Sequence, residues 1–394
     1  MDYIIENCRV LTPEGNVKPA ALTVAKGHIA GLDADGRADT VRVNGAGTLL
    51  LPGIVDIHGD AFERQLMPRP GVKFPLDVAL LDTDLQMIAN GITTGFHGVT
   101  HSWEPGLRGG PMASQIIRTI RALRPRFGCD VRVHLRFETY AIDGVGDVID
   151  MIEAGLVDAV AFNDHVPHFQ ERRDQPAKLQ PAAARAGLSV PEFVVLLDRV
   201  RERVDAVPGG VRRLAACANA DGIPLLSHDD ETPAMRRMFH DMGCRIGEFP
   251  VDAATAETAR DLGDEVVLGA PNILRGASHC GRLTAAEAIA DGLCTILASD
   301  YYYPSLLQAA FRIAASGALP FGDAWNLVSA TPARALALRD RGEIAPGKRA
   351  DLILVDDSDP ELPRVAATVV AGRPVFLDGG RLGAWAEELE PARA

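Results

Sequence analysis

Eight short apolar segments, each ending in polar residues and each followed by a helix-forming stretch, recur through the middle of the chain. In order they are GIVDIHGD, GITTGFHG, VRVHLRFE, VDAVAFNDH, IPLLSHDD, RIGEFP, EVVLGAP and CTILASD. Eight strand–helix units are what a closed parallel (β/α)8 barrel of the TIM type needs, with amphipathic runs such as AAEAIADGL and PSLLQAAFRIAASG covering it. A doubly wound open sheet is the alternative, because periodicity does not show closure. The first fifty residues and the tail lack a helical period and read as strands between Gly, Pro and Asp turns. We expect an α/β chain with a (β/α)8 barrel over residues 53–342 and a small β-sandwich domain assembled from residues 1–52 and 343–394. The polar, Pro/Ala-rich stretch from Gln170 to Pro191 reads as a lid or an inserted excursion.

Composition narrows the function classes. A 394-residue chain with 47% hydrophobic residues can bury a large core, and its net charge of -13 argues against an extended nucleic-acid footprint. A small phosphorylated or anionic substrate remains compatible with a local basic pocket. The six cysteines are scattered without a C-x-x-C pair, which fits a reducing cytoplasm better than a disulfide framework. No export signal or membrane-spanning run is read, so no membrane partner is expected; a homo-oligomer stays open.

Ionisable residues fall at the ends of the eight segments, and in a barrel those ends converge on one face. His58 and Asp60, two residues apart on one strand, can aim two ligands at one ion. The competing role is a turn Asp beside a packed His. His228 and Asp229 follow IPLL, and Asp300 closes CTILASD, where it would meet the first strand. Asp300 can ligate a metal and take a proton, or merely cap the next helix. Glu138 alternates with His134 and Arg136, so it can ligate or bridge metals while Arg136 meets substrate charge; an ordinary ion pair is the alternative. The metal candidates are thus His58, Asp60, Glu138, His228 and Asp300, and the catalytic ones Asp300 and His228. One or two divalent ions are expected, Zn2+ first, with Mn2+, Fe2+ or Mg2+ also compatible with His and carboxylate donors. Arg64, Arg69, Lys73, Arg136, His165, Arg275 and His279 are candidates for substrate binding, set against solvated charge and a surface loop. His97 and His101 read as structural histidines.

The blocks LLLPGIVDIHGD, GITTG and EIAPGKRADLILV resemble the amidohydrolase superfamily. More narrowly, HGDAFERQLMPRPGV, VHLRFE, NDHVP, LSHDDET, GEFP, GAPNILRGASHCGRL and ASDYYYPSLLQAAFRIA resemble successive blocks of its phosphonate-pathway branch. The resemblance implies a barrel framed by a β-sandwich, and a metal-dependent hydrolase that removes pyrophosphate from ribose 1-methylphosphonate 5-triphosphate. It also marks departures. The first strand carries Asp60 where the superfamily usually has a second His, as in that branch, and the sixth carries Glu248 in place of His. Gly59, Asp60 and Ala61 stand where the branch has T-D-N, and HFQE follows NDHVP in place of G-Q-R-Q. Two other functions share the scaffold: an amidase or deaminase acting on a C–N bond, and a scaffold that has lost catalysis.

Overall fold

The computed structural model describes residues 2–33, 40–276 and 283–380, with Leu382 and Trp385. His279, expected near the substrate, lies outside the described residues. The first five strands are β1 (Tyr3–Leu11), β2 (Val17–Ala25), β3 (His28–Leu32), β4 (Val41–Asn44) and β5 (Leu49–Pro52). The eight apolar segments then form β6 (Ile54–Gly59), β7 (Ile92–His101), β8 (Asp130–Glu138), β9 (Ala159–Asn163), β10 (Leu225–His228), β11 (Cys244–Glu248), β12 (Glu265–Gly269) and β13 (Ile296–Ala298). Three closing strands follow: β14 (Leu352–Asp356), β15 (Arg364–Val370) and β16 (Arg373–Leu377).

Strands β6 to β13 pair in sequence order and in parallel, as successive right-handed βαβ units require. The first and last meet through a parallel bridge between Gly59 and Asp300. There the Asp60 N–H donates to Asp300 O and the Asp300 N–H to His58 O, both at 2.9 Å. Buried Asp56 adds a side-chain tie, accepting from Ser299 Oγ at 2.6 Å and Ser299 N at 3.0 Å. At the opposite end β6 and β13 part, and Leu327 and Val328 fill the gap by accepting from the N–H groups of Leu297 and Val55. The ring is therefore closed at the end where the ionisable residues lie.

Inside, Val55, Ile57, Phe96, Ala161, Leu226, Ile246, Val267 and Ile296 form a packed core. Outside, helices cover the strands in the expected pattern. The helix Gly110–Leu123 buries Ala113, Ile116, Ile117, Ile120 and Leu123 on one stripe, and each large side chain contributes roughly 1.5–3 kcal/mol relative to exposure. His97 and His101 point into this outer layer: the His97 ring lies tilted against Phe62 at 4.9 Å, and burial pushes its imidazole down to about 4. Both are buried structural histidines, as expected.

The strands of both termini form one mixed sheet that branches at β1, which pairs with β2 on one edge and with β4 and β5 in succession on the other. The two branches wrap a core of their own, including Tyr3, Val24, Leu50, Leu352 and Val369. The segment after β9 is an inserted helical excursion. Its helices Pro176–Ala186 and Val190–Arg201 pack Leu179, Ala183 and Phe193 against Trp103 and Phe169, and Arg185 reaches buried Glu104 at 2.8 Å. No helix among the described residues is long and apolar enough to cross a membrane.

At the base of the barrel Asp130 Oδ2 accepts from Arg341 at 2.6 Å, Arg349 at 3.0 Å and Arg132 at 3.1 Å. This joins β8 to the chain returning toward β14, far from the ring of ionisable strand ends. Burial opposes the charge, but the three guanidiniums hold its carboxyl down to about 2. Because the folded-state value is depressed, the stabilisation is present above the ordinary carboxylate range and fades as pH falls toward 2. Asp130→Asn is therefore expected to lower the thermal midpoint at neutral pH, by an amount equivalent to about 1–3 kcal/mol. The gap between variant and wild type should shrink at pH 3; a gap that stays constant would remove the ion cluster from the stability of the fold.

Candidate metal centre and active site

The residues at the mouth are held by strained strand ends. Asp229, Phe249 and Asp300 follow β10, β11 and β13 with φ of 58°, 53° and 55°, a left-handed conformation that costs a non-glycine residue about 1–3 kcal/mol. Ladder bonds over-determine them: Asp229 N–H donates to Glu248 O and Phe249 N–H to Val267 O, each at 2.9 Å. The turn outward re-aims the following chain and leaves His228, Glu248 and Asp300 facing inward.

His58 faces inward for a different reason. Val55 and Ile57 point into the barrel, so strict alternation would send His58 outward. The register of β6 against β7 shifts between Asp56 and Gly59, and this bulge turns His58 to the same side as Ile57. Its ring stacks on His228 at 5.3 Å and meets His134 edge-on at 5.3 Å.

Three sets of donors converge closely enough to share a cation: His58, Asp60 and Asp300; His58, His134 and Glu248; and His165, His228 and Asp229. The first set joins the two ends of the closed ring and opens onto a cavity of about 500 Å³, whose lining includes His58, Arg136, His165, His168, Arg172, His228 and Asp300. Imidazole and carboxylate donors of this kind suit a divalent ion such as Zn2+. A cationic group already fits there: Arg136 donates to Asp60 Oδ2 at 3.3 Å and to His228 Nε2 at 3.2 Å. Gly98 makes room for it, since a Cβ there would stand 3.1 Å from Arg136 Cδ.

Electrostatics follows from burial and pairing. Burial, then the neighbouring Asp60 charge, pushes Asp300 up to about 6. Burial and Arg136 push His228 down to about 4, so it is neutral. Burial would raise Glu248, but His58 and His134 hold it well below the carboxylate range. Burial disfavours charge on His58, and Glu248 outweighs it, so the imidazole is raised.

Glu138 takes another position. It accepts from His165 Nδ1 at 2.5 Å and from His165 N at 3.3 Å, and it belongs to none of the converging sets found among the described residues. The structure pairs it with His165 at the cavity wall. Arg64, Arg69 and Arg275 are exposed and do not line the cavity. Arg64 donates to Tyr301 O and Arg275 to Tyr301 Oη at 3.4 Å, so two of them brace the loop after Asp300. Among the described residues, the guanidiniums that line the cavity are those of Arg136, which its strand position marked, and Arg172, which comes from the helical excursion. Arg108, from the loop after β7, is bidentate to Glu63 at 2.8 Å and lies 3.9 Å from Asp60. No periodicity singles out Arg108 or Arg172; only the folded loops place them.

Comparison with known proteins agrees with this architecture. A family model described as the amidohydrolase family (Amidohydro_3) matches residues 94–376. The alpha-D-ribose 1-methylphosphonate 5-triphosphate diphosphatase of Escherichia coli K12 is 33% identical over 371 residues, covering 90% of this chain and 96% of that protein. An adenine deaminase of Methylobacterium nodulans is 24% identical over 385 residues, covering 95% of this chain but 58% of that protein. Among solved structures, an enamidase superposes with a TM-score of 0.62 at 16% identity, covering 96% of each chain. The chain belongs to the amidohydrolase family.

Proposed function

We propose that the chain is a metal-dependent hydrolase that cleaves a phosphoanhydride of ribose 1-methylphosphonate 5-triphosphate and releases pyrophosphate, in phosphonate catabolism. The observation that carries this reading is the convergence of His58, Asp60 and Asp300 beside a cavity lined by His58, Asp300 and the guanidiniums of Arg136 and Arg172. The 33% identity to a diphosphatase supports this choice of substrate. Two guanidiniums facing a small cavity suit a polyanion, because Arg binds phosphate oxygens bidentately.

His58, Asp60 and Asp300, with His228 beside them, are the residues that would hold a divalent ion, Zn2+ first. When bound, that ion supplies Lewis acidity for the developing negative charge. The chain's own residues do the rest. Arg136, which lies beside Asp60 and His228, orients the oxygens of the phosphoryl group under attack. Water adds to the phosphorus next to the ribose oxygen, the bond to the bridging oxygen breaks, and pyrophosphate leaves with that oxygen. Asp300 Oδ takes the proton lost by the water, a task suited to a carboxylate whose proton affinity is raised toward neutrality. His168 and Arg172 form the outer wall, where the leaving pyrophosphate would lie.

A second reading, hydrolysis of a C–N bond, is favoured by the likeness to adenine deaminases. The products separate the two. Pyrophosphate and a ribose 5-phosphate are expected; ammonia or a new carboxylate from a C–N substrate, with no pyrophosphate, would replace the proposal. Asp300→Asn is expected to retain bound metal through its amide oxygen while cutting turnover by about 10²–10⁴-fold. Unchanged turnover would remove Asp300 from the chemistry. Chelation should abolish activity and Zn2+, Mn2+ or Mg2+ should restore it; protein that carries no stoichiometric metal and gains nothing from added ions would favour a scaffold without catalysis.

A further inference from the structure

Three imidazoles surround one carboxylate on the barrel axis. Glu248 Oε1 lies 2.9 Å from His58 Nδ1, and Oε2 lies 3.1 Å from His228 Nδ1. His134 Nδ1 is farther, at 3.8 Å, because it donates to Ile57 O at 3.0 Å. Glu248 thus serves two rings, one with each oxygen. It is fully buried and does not border the cavity, whereas His58 and His228 both do.

An imidazole has two nitrogens, and the bond made by one decides the state of the other. In a neutral imidazole, an Nδ1 that donates to a carboxylate leaves Nε2 as a bare lone pair. At His228 that consequence is visible, since Nε2 faces the Nη2 of Arg136 at 3.2 Å. The same guanidinium reaches Asp60, a member of the set that converges with His58 and Asp300.

We propose that Glu248 is a positioning residue that selects the metal-binding nitrogen of both His58 and His228. By accepting their two Nδ1 protons it fixes the ring orientations, keeps Nε2 of each as the donor, and raises the affinity of the centre for a divalent cation. The proposal rests on the metal-centre reading given under Proposed function. Direct ligation by Glu248 is disfavoured by its burial: an ion on the Nδ1 side of the rings would break both hydrogen bonds and sit away from the cavity, with no face open to substrate. Carboxylates behind metal-bound histidines typically tune affinity 10–100-fold, by fixing the tautomer and raising ligand basicity.

The test uses the full chain, stripped of metal, as wild type, Glu248→Gln and Glu248→Asp, with thermal melts to verify folding. Long-range proton–nitrogen spectra of histidine-labelled protein, in buffer alkaline enough to keep every ring neutral, report the tautomers. Signals are assigned with His58→Asn and His228→Asn. In wild type both rings should carry the proton on Nδ1. In Glu248→Gln one of the two should lose it, because an amide offers one acceptor where the carboxylate offers two. Zn2+ affinity, read by chelator competition, should fall about 10–100-fold in Glu248→Gln, with Glu248→Asp between the two. Wild-type rings protonated on Nε2, or wild-type Zn2+ affinity in a folded Glu248→Gln, would overturn the proposal. If Glu248→Gln fails to fold, the wild-type spectrum alone decides. Wild-type protein that binds no divalent ion defeats the metal-centre reading instead, and leaves the tautomer result standing separately.

Discussion

The site depends on the closure of the barrel between its first and last strands. His58 and Asp60 lie some 240 positions from Asp300 in the chain, and the reciprocal backbone bonds at 2.9 Å between Asp60 and Asp300 and between Asp300 and His58 bring them together. Buried Asp56 locks the same seam from the side through Ser299. An open sheet of the same strands would leave these groups on opposite edges, with no convergent set of donors.

Closure also concentrates charge where water is scarce, and the structure answers with pairing. Glu248 is compensated by His58 and hydrogen-bonded by neutral His228, Glu138 is paired with His165, and Asp60 with Arg136 and Arg108. Removing one partner of such a pair leaves a buried charge unmet, which costs more than the pair contributes. The left-handed residues Asp229, Phe249 and Asp300 add local strain at the same rim. Stability is spent at the mouth and recovered elsewhere, in the apolar barrel interior and in the Asp130 cluster at the base. This division keeps the mouth free to carry donors that would otherwise destabilise a core.

Much of this was legible in the sequence, and the exceptions have physical causes. Each of the eight apolar segments became a barrel strand, because Val, Ile, Leu and Ala runs buried on both faces have few other homes. His58, Asp60, His228 and Asp300 met because strand ends converge in any such barrel. The inward turn of His58 was not legible in physical terms, since it rests on a bulge in β6 and not on alternation. Glu138 and Glu248 both close strands, and only the fold decides that one pairs with His165 while the other sits among three imidazoles. Arg64, Arg69 and Arg275 follow strand ends in the sequence but are exposed and do not line the cavity; Arg64 lies in the helix Phe62–Leu66 and Arg275 ends the helix Ala270–Arg275. Arg172 was hidden in a polar stretch whose helices pack on Trp103 and Phe169.

Anomalous X-ray diffraction from crystals grown with Zn2+ tests the central claim most directly. The account predicts a zinc ion bounded by His58, Asp60 and Asp300 and open to the cavity that Arg136 and Arg172 face. Zinc found only elsewhere on the molecule, with no anomalous density among those three side chains, would contradict it.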